Sequence, residues 1–252
     1  MRVFGAIAVL VTFLAATPAL AESPLPSSAP TVAQTSRRAG IASVFRVICS
    51  ATQSEGSGFL HRSGNVISSE HVVRGCQQVT LRLPNNNEVV GEVLRADRVR
   101  DLALIAPTTR IRAPLFSISA ATSVEVGSQI AFWGFPGGYN DAPPLFGAGY
   151  VAGLTYTATA GGRRPQWVLN AAINQGNSGG PVVLVETGEV IGVAVSKMAP
   201  LSPASKAMLD ELDGQPIGLL LKELRGQVQL VVGTAVMLGD LQGFLSESGI
   251  AP

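Results

Sequence analysis

The sequence predicts an all-β chain built as two similar barrels in tandem, and three observations lead there. Of 252 residues, 46% are hydrophobic and 14% charged, which is enough apolar material for a sizeable core and too little charge for a disordered chain. From residue 41 onward the apolar residues, mainly Val, Ile and Leu, come in short runs broken by Gly, Pro and Asn, the punctuation of strands and turns. Those runs fall into two sets of six.

In the first half the strand candidates are 41–49, 56–61, 65–68, 78–83, 88–96 and 102–106. In the second they are 129–133, 146–154, 167–170, 181–185, 190–196 and 228–236. The stretch 202–225 breaks the pattern, because Ala, Leu, Lys, Glu and Met recur there at helical spacing around Gly214-Gln215-Pro216. It reads as a helical insertion. Residues 239–247 set Leu241, Phe244 and Leu245 on one side, as a short closing helix would. The expected division is one domain over 39–252, with barrel one at about 41–120, barrel two at about 121–236 and a C-terminal helix at about 237–248.

Ahead of this domain, Met1-Arg2 leads into an apolar stretch from Val3 to Ala16, then Pro18 and the small-residue site Ala19-Leu20-Ala21. That is the layout of a secretory signal peptide over 1–21. The apolar run is shorter than the ~20 residues a spanning helix needs, so no stable membrane anchor is expected after cleavage. Residues 22–38, rich in Pro, Ser, Ala and Thr, read as a flexible linker, and Arg37-Arg38 near its end as a solvated basic pair or a processing site. The formal net charge is +1 and the basic residues are scattered through both halves, which disfavours nucleic-acid binding. The expected location is exported, in periplasm or medium. There, Cys49 and Cys76 can form a disulfide that persists, the alternative being two buried thiols acting as small apolar residues.

The chemistry centres on Asn174-Gln175-Gly176-Asn177-Ser178-Gly179-Gly180-Pro181, which runs straight into an apolar strand. Its glycines permit a strained turn that holds Ser178 exposed while the amides of Gly176 and Ser178 point at one spot, where an oxyanion would form. Alone, a glycine-rich turn with a serine is usually only a tight turn. It needs a base, and the chain has only two histidines. His71, in Ser68-Ser69-Glu70-His71-Val72-Val73, is placed to present its imidazole beside a cleft; His61, at a strand end beside Arg62, reads as a solvated residue. Asp101, immediately before the apolar run Leu102-Ala103-Leu104-Ile105, is the candidate to orient the base. A strand-end cap for Asp101 and a surface role for His71 are each reasonable alone. Their joint occurrence with the serine turn, in the order His, Asp, Ser, is hard to explain without catalysis.

With these segments and Gly56-Ser57-Gly58-Phe59, the chain resembles the trypsin-like serine peptidases over about 41–236, and most closely the HtrA/Deg-type bacterial branch. The resemblance implies two six-stranded antiparallel barrels, with His71 and Asp101 from the first and Ser178 from the second meeting in the cleft between them. It implies acyl transfer on polypeptides, unfolded proteins among them, with Ser178 as nucleophile, His71 as base, and the Gly176 and Ser178 amides as oxyanion hole. It also implies a Cys49–Cys76 bridge across the loop that carries the histidine, worth about 2 to 4 kcal/mol. By family position the substrate pocket includes Ala172, Ile173 and an edge strand Ala194-Val195-Ser196 able to take substrate as an added strand. Since no carboxylate lies among these, a small or medium apolar residue is expected at the cleavage position. No metal or cofactor is expected: there is no Cys/His ligand cluster and no phosphate-binding glycine loop.

Three features depart from the family. Glu70 stands before His71 where small or amide residues are usual, and its charge would move a pH optimum upward. Asn177 replaces the Asp with which digestive relatives pair a freed N-terminus, so activation by that route is not expected. No PDZ-like segment is evident, and the oligomeric state stays open. Two other functions compete: a protease-like module that binds extended or misfolded chains with little cleavage, and an esterase using the same triad on small acyl groups.

Overall fold

The computed structural model describes residues 40–121, 123–159, 161–195, 203–226 and 232–252, the side chains of 203–206 and 222–226 excepted. The expected signal peptide and linker lie outside the described residues. The first half contains β1 (Val44–Cys49), β2 (Ser54–Leu60), β3 (Val66–Ser68), a short α1 (Glu70–Val73), β4 (Gln78–Arg82), β5 (Glu88–Asp97) and β6 (Leu102–Pro107). The second contains β7 (Gln129–Gly134), β8 (Leu145–Thr159), β9 (Gly162–Asn170), β10 (Pro181–Leu184), β11 (Val190–Val195), the helices α2 (Pro203–Glu211) and α3 (Pro216–Gly226), β12 (Val232–Met237) and α4 (Leu238–Glu247).

Each set of six strands closes into an antiparallel barrel, in the order β1-β2-β3-β6-β5-β4 and, read in the same sense, β7-β8-β9-β12-β11-β10. The second order is the first with six added to every number, so the two halves share one topology. Closure comes from β1 pairing β4 and β7 pairing β10. It leaves no free sheet edge in either barrel.

Why β1, β3 and β6 read as nearly continuous apolar runs follows from the period of two along a strand. Phe45, Val47, Leu60, Val66, Ala103 and Ile105 fill the first barrel's own interior. Their neighbours Val44, Phe59, Ile67, Leu102 and Leu104 face the other way and join the core of the second barrel. Both faces are therefore buried, and at about 1.5 to 3 kcal/mol per buried aliphatic or aromatic side chain this seam is a large share of what joins the halves. Phe116, from the connection between barrels, stands edge-on to Phe59 with ring centroids 5.6 Å apart and meets Trp133 at 6.3 Å.

The helical insertion is a pair of helices, with Gly214 at a φ of +77° between them and Pro216 at the start of α3, where its fixed φ and missing N–H are harmless. In α4, Leu238, Leu241, Phe244 and Leu245 recur at helical spacing and are all buried against the second barrel. The β8–β9 hairpin runs well past the expected strand ends, pairing out to Thr159 and Gly162. The last expected strand, 228–236, overlaps β12, and its first residues lie outside the described ones.

His61 corrects the sequence reading. It is fully buried, bridged to Phe116, because the connection between barrels crosses the end of β2 and Phe116 donates its N–H to Leu60 O at 3.0 Å. Its Nδ1 accepts from Ser63 N at 3.2 Å, and its Nε2 has no partner among the described residues. Burial, with the charge of Arg62 adding to it, pushes the imidazole down to about 4.

Candidate active site

The seam between the barrels brings three segments together. The first is α1, which places His71 with its side chain 35% exposed. The second is the turn before β6, where Asp101 takes a φ of +58°, a conformation few residues other than Gly, Asn and Asp tolerate. The Asp101 carboxylate accepts from the His71 backbone N–H at 3.0 Å and from the imidazole Nδ1 at 2.9 and 2.8 Å through its two oxygens. A carboxylate facing Nδ1 requires the proton there, which leaves the lone pair on Nε2. The strained backbone of Asp101 is thus held by the contact it makes.

The third segment is the turn over 174–180. Gly176 and Gly179 both have a φ of +90°, which glycine alone adopts freely. The orientation of each peptide in the turn is set by its carbonyl. Gln175 O accepts from Gly137 N at 2.7 Å, Gly176 O accepts from Ser57 Oγ at 2.7 Å, and Asn177 O accepts from Gly180 N at 3.0 Å. In a trans peptide the N–H points opposite to the C=O, so the Gly176 amide points away from Gly137 and the Ser178 amide away from Gly180, while the Ser57 hydroxyl fixes the peptide between them. Both amides are therefore oriented by the backbone.

Ser178 itself is 1% exposed, so the turn does not lift it into solvent as expected. The reason is the tightness of the seam. Ser57 N donates to Ser178 O at 2.7 Å, and a Cβ on Gly179 would fall on Ser57 O and lie 2.6 Å from Ser68 Oγ and 3.0 Å from Ser69 N. The serine turn thus abuts the residues that immediately precede His71.

Around this centre the charges are paired. Glu70, expected to bias the imidazole, gives its carboxylate to Arg74 at 2.5 Å, one helical turn on. Arg100, next to Asp101, meets Asp97 at 2.8 Å and Glu247 of α4 at 2.6 Å, while Arg95 meets Glu247 at 2.6 Å and Ser248 Oγ at 3.0 Å. These guanidinium groups draw Glu247 down to about 2, Arg100 being the larger cause. Sequence reasoning missed this network, since its partners lie far apart in the chain. It also missed the role of Ser57, for which the Gly-Ser-Gly motif was the one available signal. The sulfurs of Cys49 and Cys76 are bonded, joining the end of β1 to the turn after α1.

A model described as the trypsin-like peptidase domain matches residues 56–193, more than half of the chain. The chain belongs to this family. As a trypsin-like peptidase it is 30% identical over 145 residues to a probable periplasmic DegP-like serine endoprotease of Hahella chejuensis, covering 56% of this chain and 29% of that one. It is 27% identical over 208 residues to the Do-like serine protease HtrA of Lactobacillus helveticus, covering 77% and 50%. The chain thus spans half or less of the length of these relatives. The active form of the Rv3671c protease from M. tuberculosis has the same fold, with a TM-score of 0.64, 22% identity, and 97% and 96% of the two chains covered. The HtrA-type protease AlgW, with a tripeptide, gives 0.64 at 20% identity, covering 88% and 64%.

The cavity beside the candidate site takes in little of the expected substrate pocket. A cavity of about 510 Å³ runs from His71 and Asp101 past Val195 and Val236 to the β8–β9 hairpin, and of the five expected pocket residues only Val195 lines it. Ala172 is exposed, and Ile173 is 2% exposed with its side chain over Gly233. The edge-strand reading is corrected for Ala194 and Val195: β11 lies between β10 and β12, and Ala194 donates its N–H to Gly180 O at 2.8 Å and accepts from Gly179 N at 2.9 Å. Ser196 lies outside the described residues. Among the described residues no group of three or more His, Cys, Asp or Glu could hold a metal ion, and no helix is long and apolar enough to cross a membrane.

Proposed function

We propose that this chain is a serine endopeptidase in which Ser178 is the nucleophile, His71 the general base and acid, and Asp101 the residue that orients and balances the imidazole. The observation that carries it is the Asp101 carboxylate at 2.8 Å from His71 Nδ1, beside a serine turn whose amides are oriented by their own carbonyl anchors. Ser178 Oγ attacks a peptide carbonyl carbon as Nε2 takes its proton. The carbonyl oxygen becomes an oxyanion between the Gly176 and Ser178 amides. Nε2 then protonates the departing amine, and water repeats the sequence to free the acyl group.

Polypeptides are the proposed substrates, in keeping with the serine endoprotease and serine protease names of the relatives, and unfolded chains among them are part of the same proposal. A small or medium apolar residue is proposed at the cleavage position, because Ile173 fills the space over Gly233 and no carboxylate stands among Ala172, Ile173, Ala194 and Val195, whereas Asp101 and Asp240 line the adjoining cavity. Export through the signal peptide over 1–21 belongs to the same proposal.

The test is digestion of unfolded casein by the chain from residue 22 and by Ser178→Ala, with a fluorophosphonate probe located by mass spectrometry. Cleavage and labelling at Ser178 should both vanish in the variant. A folded wild-type protein that neither labels nor cleaves between pH 6 and 9 would leave the chain a binding module.

A further inference from the structure

Ser57 has no part in the chemistry just described, yet it is fully buried and makes four hydrogen bonds inside the seam. Its Oγ donates to Gly176 O at 2.7 Å and accepts from Phe135 N at 3.0 Å. Its backbone N–H donates to Ser178 O at 2.7 Å, and its carbonyl accepts from Ser68 Oγ at 2.8 Å. The direction of the hydroxyl proton is not free. Phe135 N can only donate, so the one proton on Oγ goes to Gly176 O.

We propose that Ser57 is a positioning residue for the oxyanion hole: its Oγ holds the Gly176–Asn177 peptide by the Gly176 carbonyl and its N–H holds the Ser178–Gly179 peptide by the Ser178 carbonyl, bracing from either side the peptides that carry the Gly176 and Ser178 amides. The inference rests on the peptidase reading and extends it. Gly176 is where the turn can fail, because at a φ of +90° it has no Cβ to resist rotation of either adjoining peptide. Gly137 N holds the peptide before it and Ser57 Oγ the peptide after it. Without the hydroxyl, Gly176 O would be a buried acceptor with no donor and Phe135 N a buried donor with no acceptor. Both are costly, and the turn relieves them by rotating. Rotation of the Gly176–Asn177 peptide would pull on the peptides to either side of it, loosening the Gln175 O–Gly137 N bond and turning the Gly176 and Ser178 amides out of line.

The test pairs Ser57→Ala with Ser68→Ala. Both remove a buried hydroxyl from this seam, but Ser68 holds only Ser57 O, so it reports what loosening alone does. Losing one oxyanion donor outright lowers kcat by about 10²- to 10³-fold. Ser57→Ala should lower kcat by roughly 10- to 1000-fold, with KM within about threefold and binding of a peptide boronate weakened in parallel. Ser68→Ala should lose about threefold or less. Equal losses in the two variants, or a Ser57→Ala effect confined to KM, would overturn the proposal. Amide hydrogen exchange at Gly137, whose N–H is bonded to Gln175 O, provides a readout that needs no activity. It should quicken in Ser57→Ala and hold in Ser68→Ala. If the wild type proves inactive, this exchange still decides the matter: unchanged protection in Ser57→Ala rejects the positioning role independently of the peptidase reading.

Discussion

The two barrels share a topology but hold their parts of the site by different physics. The first fixes its part through side chains: Asp101 on His71, Glu70 on Arg74, Arg100 between Asp97 and Glu247, and the Cys49–Cys76 bond. The second fixes the serine turn almost wholly through backbone bonds, with glycines where a Cβ would not fit. A half held by charge should fail when chemistry changes at constant shape. A half held by backbone should fail when shape changes at constant chemistry.

The largest expected effect tests the first statement. Asp101→Asn keeps the size of the side chain but presents an NH₂ group to Nδ1, favouring the wrong tautomer, and kcat should fall by about 10⁴-fold with the fold intact. A loss under tenfold would mean the imidazole is oriented by something else. Gly179→Ala tests the second. It adds one methyl and no polar group, yet combines a φ of +90° with a Cβ falling on Ser57 O. Activity should drop by about 10²-fold and Tm by on the order of 5–10 °C. Gly64→Ala is the control, since at a φ of +85° it has nothing within 4 Å and should lose only the backbone strain, about 1 kcal/mol. If both alanines cost the same, close packing at the seam is not what holds the turn.

The smallest effect sharpens the comparison on the acid side. His61 is neutral in the folded chain down to about 4, against an ordinary value of 6.5. Its contribution is fully present above 6.5 and is lost as pH falls from there toward 4, because the unfolded chain takes up a proton that the folded one refuses. At 1.36 kcal/mol per pH unit the loss amounts to about 3 kcal/mol at most. Melting curves at pH 7.5, 5.5 and 4.5 should show it, and the slope should flatten in His61→Gln. Identical slopes in the two proteins would remove His61 from the account. Glu247, drawn down to about 2, gives its contribution up only at lower pH, below this window.

What could be read in advance was what lies close together in the chain. The serine turn announces itself by three glycines within five positions, and β1, β3 and β6 by short apolar runs that are buried on both faces. Asp101 and His71 were legible because each sits in a short segment whose order along the chain carries meaning. The misses are tertiary. Nothing local distinguishes a strand-end histidine in water from His61 roofed over by Phe116. The edge at 194–195 seemed open because its partner β12 follows only after a long helical insertion. The outer β8–β9 hairpin was shortened because its half-exposed alternation is a weaker signal than a buried run.

The tie from Arg100 to α4 gives the cleft a mechanical character. Asp101 belongs to the first barrel by its chain, but its neighbour Arg100 is gripped by Glu247, on a helix whose apolar face is sunk in the second. Any slippage of one barrel past the other must stretch that grip. Its pull reaches the aspartate one peptide away and, through the carboxylate, the imidazole. Docking of the halves and alignment of the Asp101–His71 pair are thereby coupled.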